Sequence, residues 1–375
     1  MKKYYCILLL TSLWLFSAGT AASPAKVIIG YVFEPENPLD PDTIAAEKLT
    51  HINYAFSNIK DGKLVEGFAF DADNYRLLQS LKKRNPELKI LTSVGGWTWS
   101  GGFSDMVLTE QSRQRFIDSA IDFARRHQLD GIDLDWEYPG LAGAGNTHRP
   151  EDGENYTLLL RDLRAALDKL EQELGRPLLL TIASAGFPDF LHKSDMGNWQ
   201  RYLDYINVMA YDNNFPSEGG TTGHHTALYS FADDTSGQSA MSAIQNHLDA
   251  GVPVEKLVLG VAFYGRHWTD VSAGDNHGLG QPGSPGESTF GGTRYNNIAP
   301  NLVNAAGFTR HWDPVAQAPW LWHAKEGVFI SYDDPESLTA KAAFIKEKNL
   351  AGAMFWQYSS DYKNQLLDVL YQKLR

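Results

Sequence analysis

Eight apolar runs, each short enough to be a strand, recur along this chain, with helical patterns between several of them. They are KVIIGYVF, LTHINYAFSNI, LKILTSVGGW, GIDLDWEY, LLLTIASAG, YINVMAYD, KLVLGVAFYGR and AGAMFWQYS. Val, Ile, Leu and aromatic residues dominate them, as buried strands require. Two of the helical intervals are clear. SRQRFIDSAIDFARRHQLDG sets Phe116, Ala120, Ile121 and Ala124 on one face, with Gly131 past its end. NYTLLLRDLRAALDKLEQELG repeats Leu159, Leu163, Leu167, Leu170 and Leu174, and Gly175 stands where a left-handed cap belongs. Strands alternating with helices predict a parallel sheet, and eight of them predict an α/β fold closed as a (β/α)8 TIM barrel. The chain is 375 residues long and 43% hydrophobic, enough for a core of that size.

One connection breaks the rhythm. Between the seventh strand and its helix, residues 267–330 far exceed a normal βα loop of about 2–6 residues. The stretch contains DNHGLGQPGSPGESTFGG, then aromatics at Trp312, Trp320, Trp322 and Phe329. These aromatics predict a small inserted domain with its own core, built around Trp320 and Trp322, rather than a disordered excursion. The expected organisation is therefore 1–22 as a leader, 23–266 with 331–375 as the barrel, and 267–330 as the insertion.

The leader is read from Lys2 and Lys3, the apolar run from Ile7 to Phe16, and small residues up to Ala22. That is the order of a secretory signal peptide, cleaved after Ala21 or Ala22, and the apolar run is too short to span a bilayer. The expected location is secreted, either extracellular or periplasmic, with no membrane attachment after cleavage. Cys6, the only cysteine, falls inside this segment, so stability is expected from packing rather than disulfides. Removing the two lysines takes the formal charge from −12 to −14. An acidic surface repels nucleic acid and anionic membrane and suits a neutral ligand. A monomer is expected.

The fourth run is the unusual one. LDGIDLDWEYPG places Asp130, Asp133, Asp135 and Glu137 within eight positions. Residues two apart on a strand share a face, so Asp133, Asp135 and Glu137 point one way and Ile132, Leu134 and Trp136 the other. Three like charges are poor core filler, because confinement makes them repel and raises their pKa values. Metal ligation by clustered oxygens is one reading. Against it, calcium loops want a Gly after the third acidic position, and here Tyr138 follows Glu137. Acid catalysis is the better reading. Glu137 comes last, at the C-terminal mouth where barrel active sites form, and its acidic neighbours can keep it protonated. With no His or Cys cluster nearby, neither metal nor cofactor is expected.

DGIDLDWEYPG resembles the signature of family 18 glycoside hydrolases, the chitinases and their relatives. SVGGW (Ser93 to Trp97), MAYD (Met209 to Asp212), FYGR (Phe263 to Arg266), YDDPES (Tyr332 to Ser337) and MFWQYSSD are similar to further motifs of that family. The resemblance spans the chain beyond the leader and extends to the subgroup with an inserted α+β domain beside a deep groove.

The resemblance implies roles for particular residues. Glu137 would protonate the glycosidic oxygen of chitin or a chitooligosaccharide. The substrate's own acetamido oxygen would attack, forming an oxazolinium ion that Asp135 stabilises. Asp133 would share a proton with Asp135, and Tyr211 would hydrogen-bond the acetamido group. Trp356 would be the floor of the central subsite, and Trp97 would stack on the product side. Gly95 and Gly96 would allow close backbone approach. Tyr31, placed to contact Asp133 or Ser93, joins Phe56, Tyr138, Met209 and Asp212 as expected binding residues. Arg266 is read either as holding sugar hydroxyls or as an ion-pair partner, Asp130 as a structural brace, and His224 and His225 as loop scaffolding. Asp135 and Glu137 lie about 7 Å apart by strand rise, too close to attack a sugar from opposite sides. Asp212 is the one other carboxylate to exclude as nucleophile. Two alternatives accompany the secreted chitinase: a chitooligosaccharide-binding lectin and an endo-β-N-acetylglucosaminidase.

Overall fold

The computed structural model describes Met1 and residues 25–231, 234 and 236–375. The expected signal peptide, with Cys6, otherwise lies outside the described residues.

Eight parallel strands close into a ring: β1 (Val27–Phe33), β2 (His51–Lys60), β3 (Lys89–Gly95), β4 (Gly131–Asp135), β5 (Leu179–Ala185), β6 (Tyr205–Met209), β7 (Leu257–Ala262) and β8 (Gly352–Trp356). β1 pairs in parallel with both β2 and β8, which shuts the barrel. All eight runs read from sequence are these strands. The first connection carries only short 3-10 turns at Pro41–Thr43 and Ala46–Lys48; the later ones carry α-helices, the longest being Glu110–Arg126 and Asp152–Leu174.

The two faces of each strand feed different layers. Ile132, Leu134 and Trp136 of β4 and its C-terminal extension lie with Leu159, Leu163 and Leu167 of the Asp152–Leu174 helix in the large core outside the ring. Inside it, Ile29, Tyr31, Ala55, Val258 and Met354 form a second, smaller core. Polar Asn53, Asp133, Thr181 and Asn207 are also fully buried.

Gly175 takes the left-handed conformation at φ 65° and caps its helix, as its position predicts. Gly131 does not cap the Glu110–Arg126 helix; Gln128, at φ 55°, turns the chain there. Gly131 opens β4, and a side chain on it would meet the Leu179 carbonyl at 2.2 Å. Its smallness serves strand approach.

A second sheet of six antiparallel strands stands beside the barrel mouth. Its strand Gly265–Thr269 pairs with Val328–Tyr332, so the sheet reaches two residues beyond 267–330 at each end. It also recruits Gly220–Thr221 from the loop after β6. Trp320 and Trp322 pack with Trp268, Val271, Leu279 and Phe329 in a separate core. Among the described residues no helix is long and apolar enough to cross a membrane.

Candidate active site

β4 delivers its carboxylates inward and upward, in the order Asp133, Asp135, Glu137. Asp133 is fully buried and accepts four hydrogen bonds. Tyr31 (2.8 Å) and Ser93 (2.7 Å) donate to Oδ2; Thr181 (2.6 Å) and Asn207 (3.2 Å) donate to Oδ1. Burial raises its pKa, while these four donors pull the other way. Asp135 has no such support: its Oδ1 is buried without a partner. Burial, then the charges of Glu137 and Asp133, push its pKa well above the usual range. The lower carboxylate is thus equipped to be the anion and the middle one to carry a proton. Burial, aided by the negative charge of Asp212, lifts Glu137 to about 7. A glutamic acid of that pKa holds its proton for a large part of the time at neutral pH and is able to donate it.

Asp212, on the loop after β6, takes a left-handed backbone at φ 59°. Its carboxylate is fully engaged. Arg266 donates from Nε to Oδ1 and from Nη2 to Oδ2, each at 2.8 Å, and the Tyr264 hydroxyl donates to Oδ1 at 2.8 Å. His225 Nδ1 stands 3.4 Å away. Burial pushes the Asp212 carboxyl up, but His225 and Arg266 outweigh it and hold it below the usual range. Arg266 also binds Glu287 at 2.5 Å and lies under the exposed Phe215 ring, 4.5 Å from its centroid. Of the two readings of Arg266, the ion pair is the one its geometry displays.

Tyr211 has its hydroxyl 3.9 Å from the Met354 sulfur; burial and the nearby carboxylates raise its pKa well above normal, so it stays a neutral donor. Trp356 is half-buried at the barrel centre. Phe56 stacks on it at 5.4 Å and 17°, with Tyr31 and Phe33 tilted against it at 5.9 and 5.8 Å. Met209 packs in the same interior group. Gly95 and Gly96 both have positive φ; a Cβ would meet the Asp135 carbonyl at 2.4 Å and the Phe56 ring at 2.6 Å. Trp97 is 51% exposed, with Tyr138 edge-on at 6.2 Å.

Asp130 lies apart from this group, at the foot of β4. It accepts from Lys82 (2.6 Å), Arg176 (2.7 Å) and the Ile90 amide (2.8 Å), which makes it a brace. Trp320 and Trp322 are 4% exposed and belong to the core of the second sheet. Sequence reading missed Thr181, Asn207, Tyr264, Phe33 and Met354. Thr181 and Asn207 left a trace: each is a polar residue at an inward position of an apolar run. Tyr264 and Phe33 left none, since aromatics at strand ends are usually core.

A closed barrel with an acid-bearing strand and an aromatic floor at its C-terminal mouth defines a barrel glycoside hydrolase. More particularly, the chain belongs to glycosyl hydrolases family 18, whose pattern matches residues 27–361. It is 41% identical to Chitinase A1 of Niallia circulans over 326 residues, covering 83% of this chain and 46% of that protein, so it spans about half that relative's length. Chitotriosidase-1 of Mus musculus is 35% identical over 333 residues, 86% of this chain and 69% of that one. Among solved structures, a family 18 N-acetylglucosaminidase from Paenibacillus barengoltzii superposes with a TM-score of 0.84 at 41% identity, covering 93% of this chain and all of that one. A chitinase from Bacillus thuringiensis gives 0.88 at 35% identity, covering 93% and 70%.

Proposed function

We propose that this protein is a secreted chitinase that hydrolyses β-1,4 bonds between N-acetylglucosamine units with the substrate's acetamido group as nucleophile. The observation that carries the reading is the pairing of Glu137, its pKa lifted to about 7, with Asp135, whose Oδ1 is buried and unpartnered. Glu137 gives its proton to the leaving oxygen as the glycosidic bond breaks. The acetamido oxygen bonds to the anomeric carbon and the ring nitrogen takes up positive charge. Asp135, turned towards that nitrogen, stabilises it, and its proton passes to Asp133. Water then attacks the anomeric carbon and returns a proton to Glu137, which leaves a β-configured product.

Asp212 does not serve as nucleophile, because Arg266 and Tyr264 occupy its carboxylate. Tyr211 holds the acetamido group in the attacking pose, over Trp356.

Two experiments test this. Glu137→Gln keeps the shape and removes the acid, so turnover falls by about 10²–10⁴-fold or more while oligomer binding persists. Near-normal turnover defeats the assignment. With partly deacetylated chitin, the new reducing ends are almost exclusively N-acetylated. Glucosamine there in proportion to its abundance means a protein nucleophile.

The 41% identity to the Paenibacillus N-acetylglucosaminidase across that whole chain favours a second reading, removal of single sugars. The product-length distribution from a long oligomer, measured over time, separates the two.

A further inference from the structure

We propose that Ser100 and Asn146 are positioning residues that hold the Glu137 peptide, and through it the acidic side chain, in register with the bond to be cleaved. The inference rests on Glu137 being the proton donor.

β4 ends at Asp135, so Glu137 lies two residues beyond the ladder that fixes the strand. A side chain from the loop after β3 and one from further along Glu137's own loop take over. Ser100, fully buried in the loop after β3, accepts a hydrogen bond from the Glu137 amide at 2.9 Å. Its own hydroxyl donates to the Gly96 carbonyl at 2.9 Å, with the Asp135 carbonyl at 3.2 Å. The Gly96 amide donates back to the Asp135 carbonyl at 2.8 Å. One hydroxyl thus ties the catalytic turn to the glycine pair at the end of β3.

On the other side, Asn146 Nδ2 donates to the Glu137 carbonyl at 3.0 Å and to the Trp97 carbonyl at 3.3 Å. Gly143 lies flat on the same Glu137 carbonyl, where a Cβ would stand 2.1 Å from the oxygen. Both polar groups of the Glu137 backbone are therefore held by side chains, one from the loop after β3 and one nine residues on in the same loop. The same Asn146 amide fixes the segment bearing the exposed Trp97, so the proton donor and the expected product-side platform share one clamp.

A general acid works only within about 0.5 Å and 10–20° of its productive pose. Loosening the clamp leaves the carboxyl present but misaimed. That loss depends on the leaving group, because a sugar alkoxide needs protonation and a nitrophenolate scarcely does.

The test compares Ser100→Ala and Asn146→Ala on chitotetraose and on 4-nitrophenyl N,N′-diacetylchitobioside, with Glu137→Gln alongside. On chitotetraose, kcat falls by about 10- to 10²-fold with KM nearly unchanged, in line with the effect of a misplacement near 1 Å. On the nitrophenyl substrate the fall is much smaller. Asn146 is half-exposed, so its variant folds even if Ser100→Ala does not. Equal losses on both substrates, or none on either while Glu137→Gln is inactive, overturn the clamp and leave the proton donor standing. Turnover by Glu137→Gln on chitotetraose removes the proton donor and the clamp together.

Discussion

Asp212 and Arg266 meet in a two-bond pairing, Nε to Oδ1 and Nη2 to Oδ2, both at 2.8 Å. Arg266 lies in the first strand of the insertion and Asp212 in the turn after β6. The pair therefore joins the insertion to the barrel mouth and leaves a fixed negative charge near Glu137. That charge is one of the causes that raise the Glu137 pKa.

Replacing Asp212 by Asn removes this charge and leaves the Arg266 cation in place. Both changes favour the ionised form of Glu137, so its pKa drops from about 7. In the proposed mechanism activity requires the protonated acid. The alkaline limb of kcat/KM against pH therefore moves to lower pH in Asp212→Asn. A limb that stays put, or moves up, contradicts the electrostatic role of Asp212.

Glu137 also has a stability signature. Its folded pKa is raised from 4.5 to about 7, so the folded state holds the proton more tightly than the unfolded state. Its contribution to stability is present below about pH 4.5 and is lost as pH rises through about 7. Glu137→Gln cannot titrate. Its melting temperature should exceed that of the parent by more at pH 8 than at pH 5. Thermal scans at both values check this; a pH-independent difference counts against the shift.

Thr181→Val keeps the shape of the side chain and deletes the 2.6 Å donor to Asp133. Asp133 Oδ1 then has only Asn207. Leaving a buried acceptor short of a donor costs about 1–3 kcal/mol, and more where it is charged. Denaturant unfolding reads this directly. A variant as stable as the parent rules out the network.

Lys341 and Asp333 are both fully buried and pair at 2.6 Å, with Thr226, Ser337 and the Ala262 amide completing the Asp333 shell. Lys341→Met strands a buried carboxylate and should cost about 3–5 kcal/mol. Lys341→Met combined with Asp333→Leu removes both charges and should lose less than the single change. If the double variant is the less stable of the two in urea, the buried charge is not the reason.

Much of the barrel was legible in the sequence because it is repetitive and local. Apolar runs bounded by turns mark the eight strands, and a period of two puts Asp133, Asp135 and Glu137 on one face with Trp136 on the other. Gly175 announced its cap because a left-handed residue ends a helix that way and glycine adopts that conformation without strain. Gly131 follows a helix too but opens β4 instead, and a glycine required by strand approach looks the same in sequence as one required by φ.

Apart from the contact between Tyr31 and Asp133, which the resemblance implied, the surroundings of the carboxylates came only with tertiary structure. Tyr31, Ser93, Thr181 and Asn207 reach Asp133 from four different strands, and the nearest of them in the chain, Ser93, is 40 positions away. Arg266 could be read two ways until the fold set Asp212 beside it. The Ser100 and Asn146 contacts tie the loop after β3 to the loop after β4, a juxtaposition that only the fold makes. Sequence determined that Asp133, Asp135 and Glu137 recur at every second position along β4 and its extension, because strand geometry is local. Ring closure alone decided which carboxylate is surrounded by donors and which is left bare. That difference in solvation and hydrogen bonding sets their proton affinities.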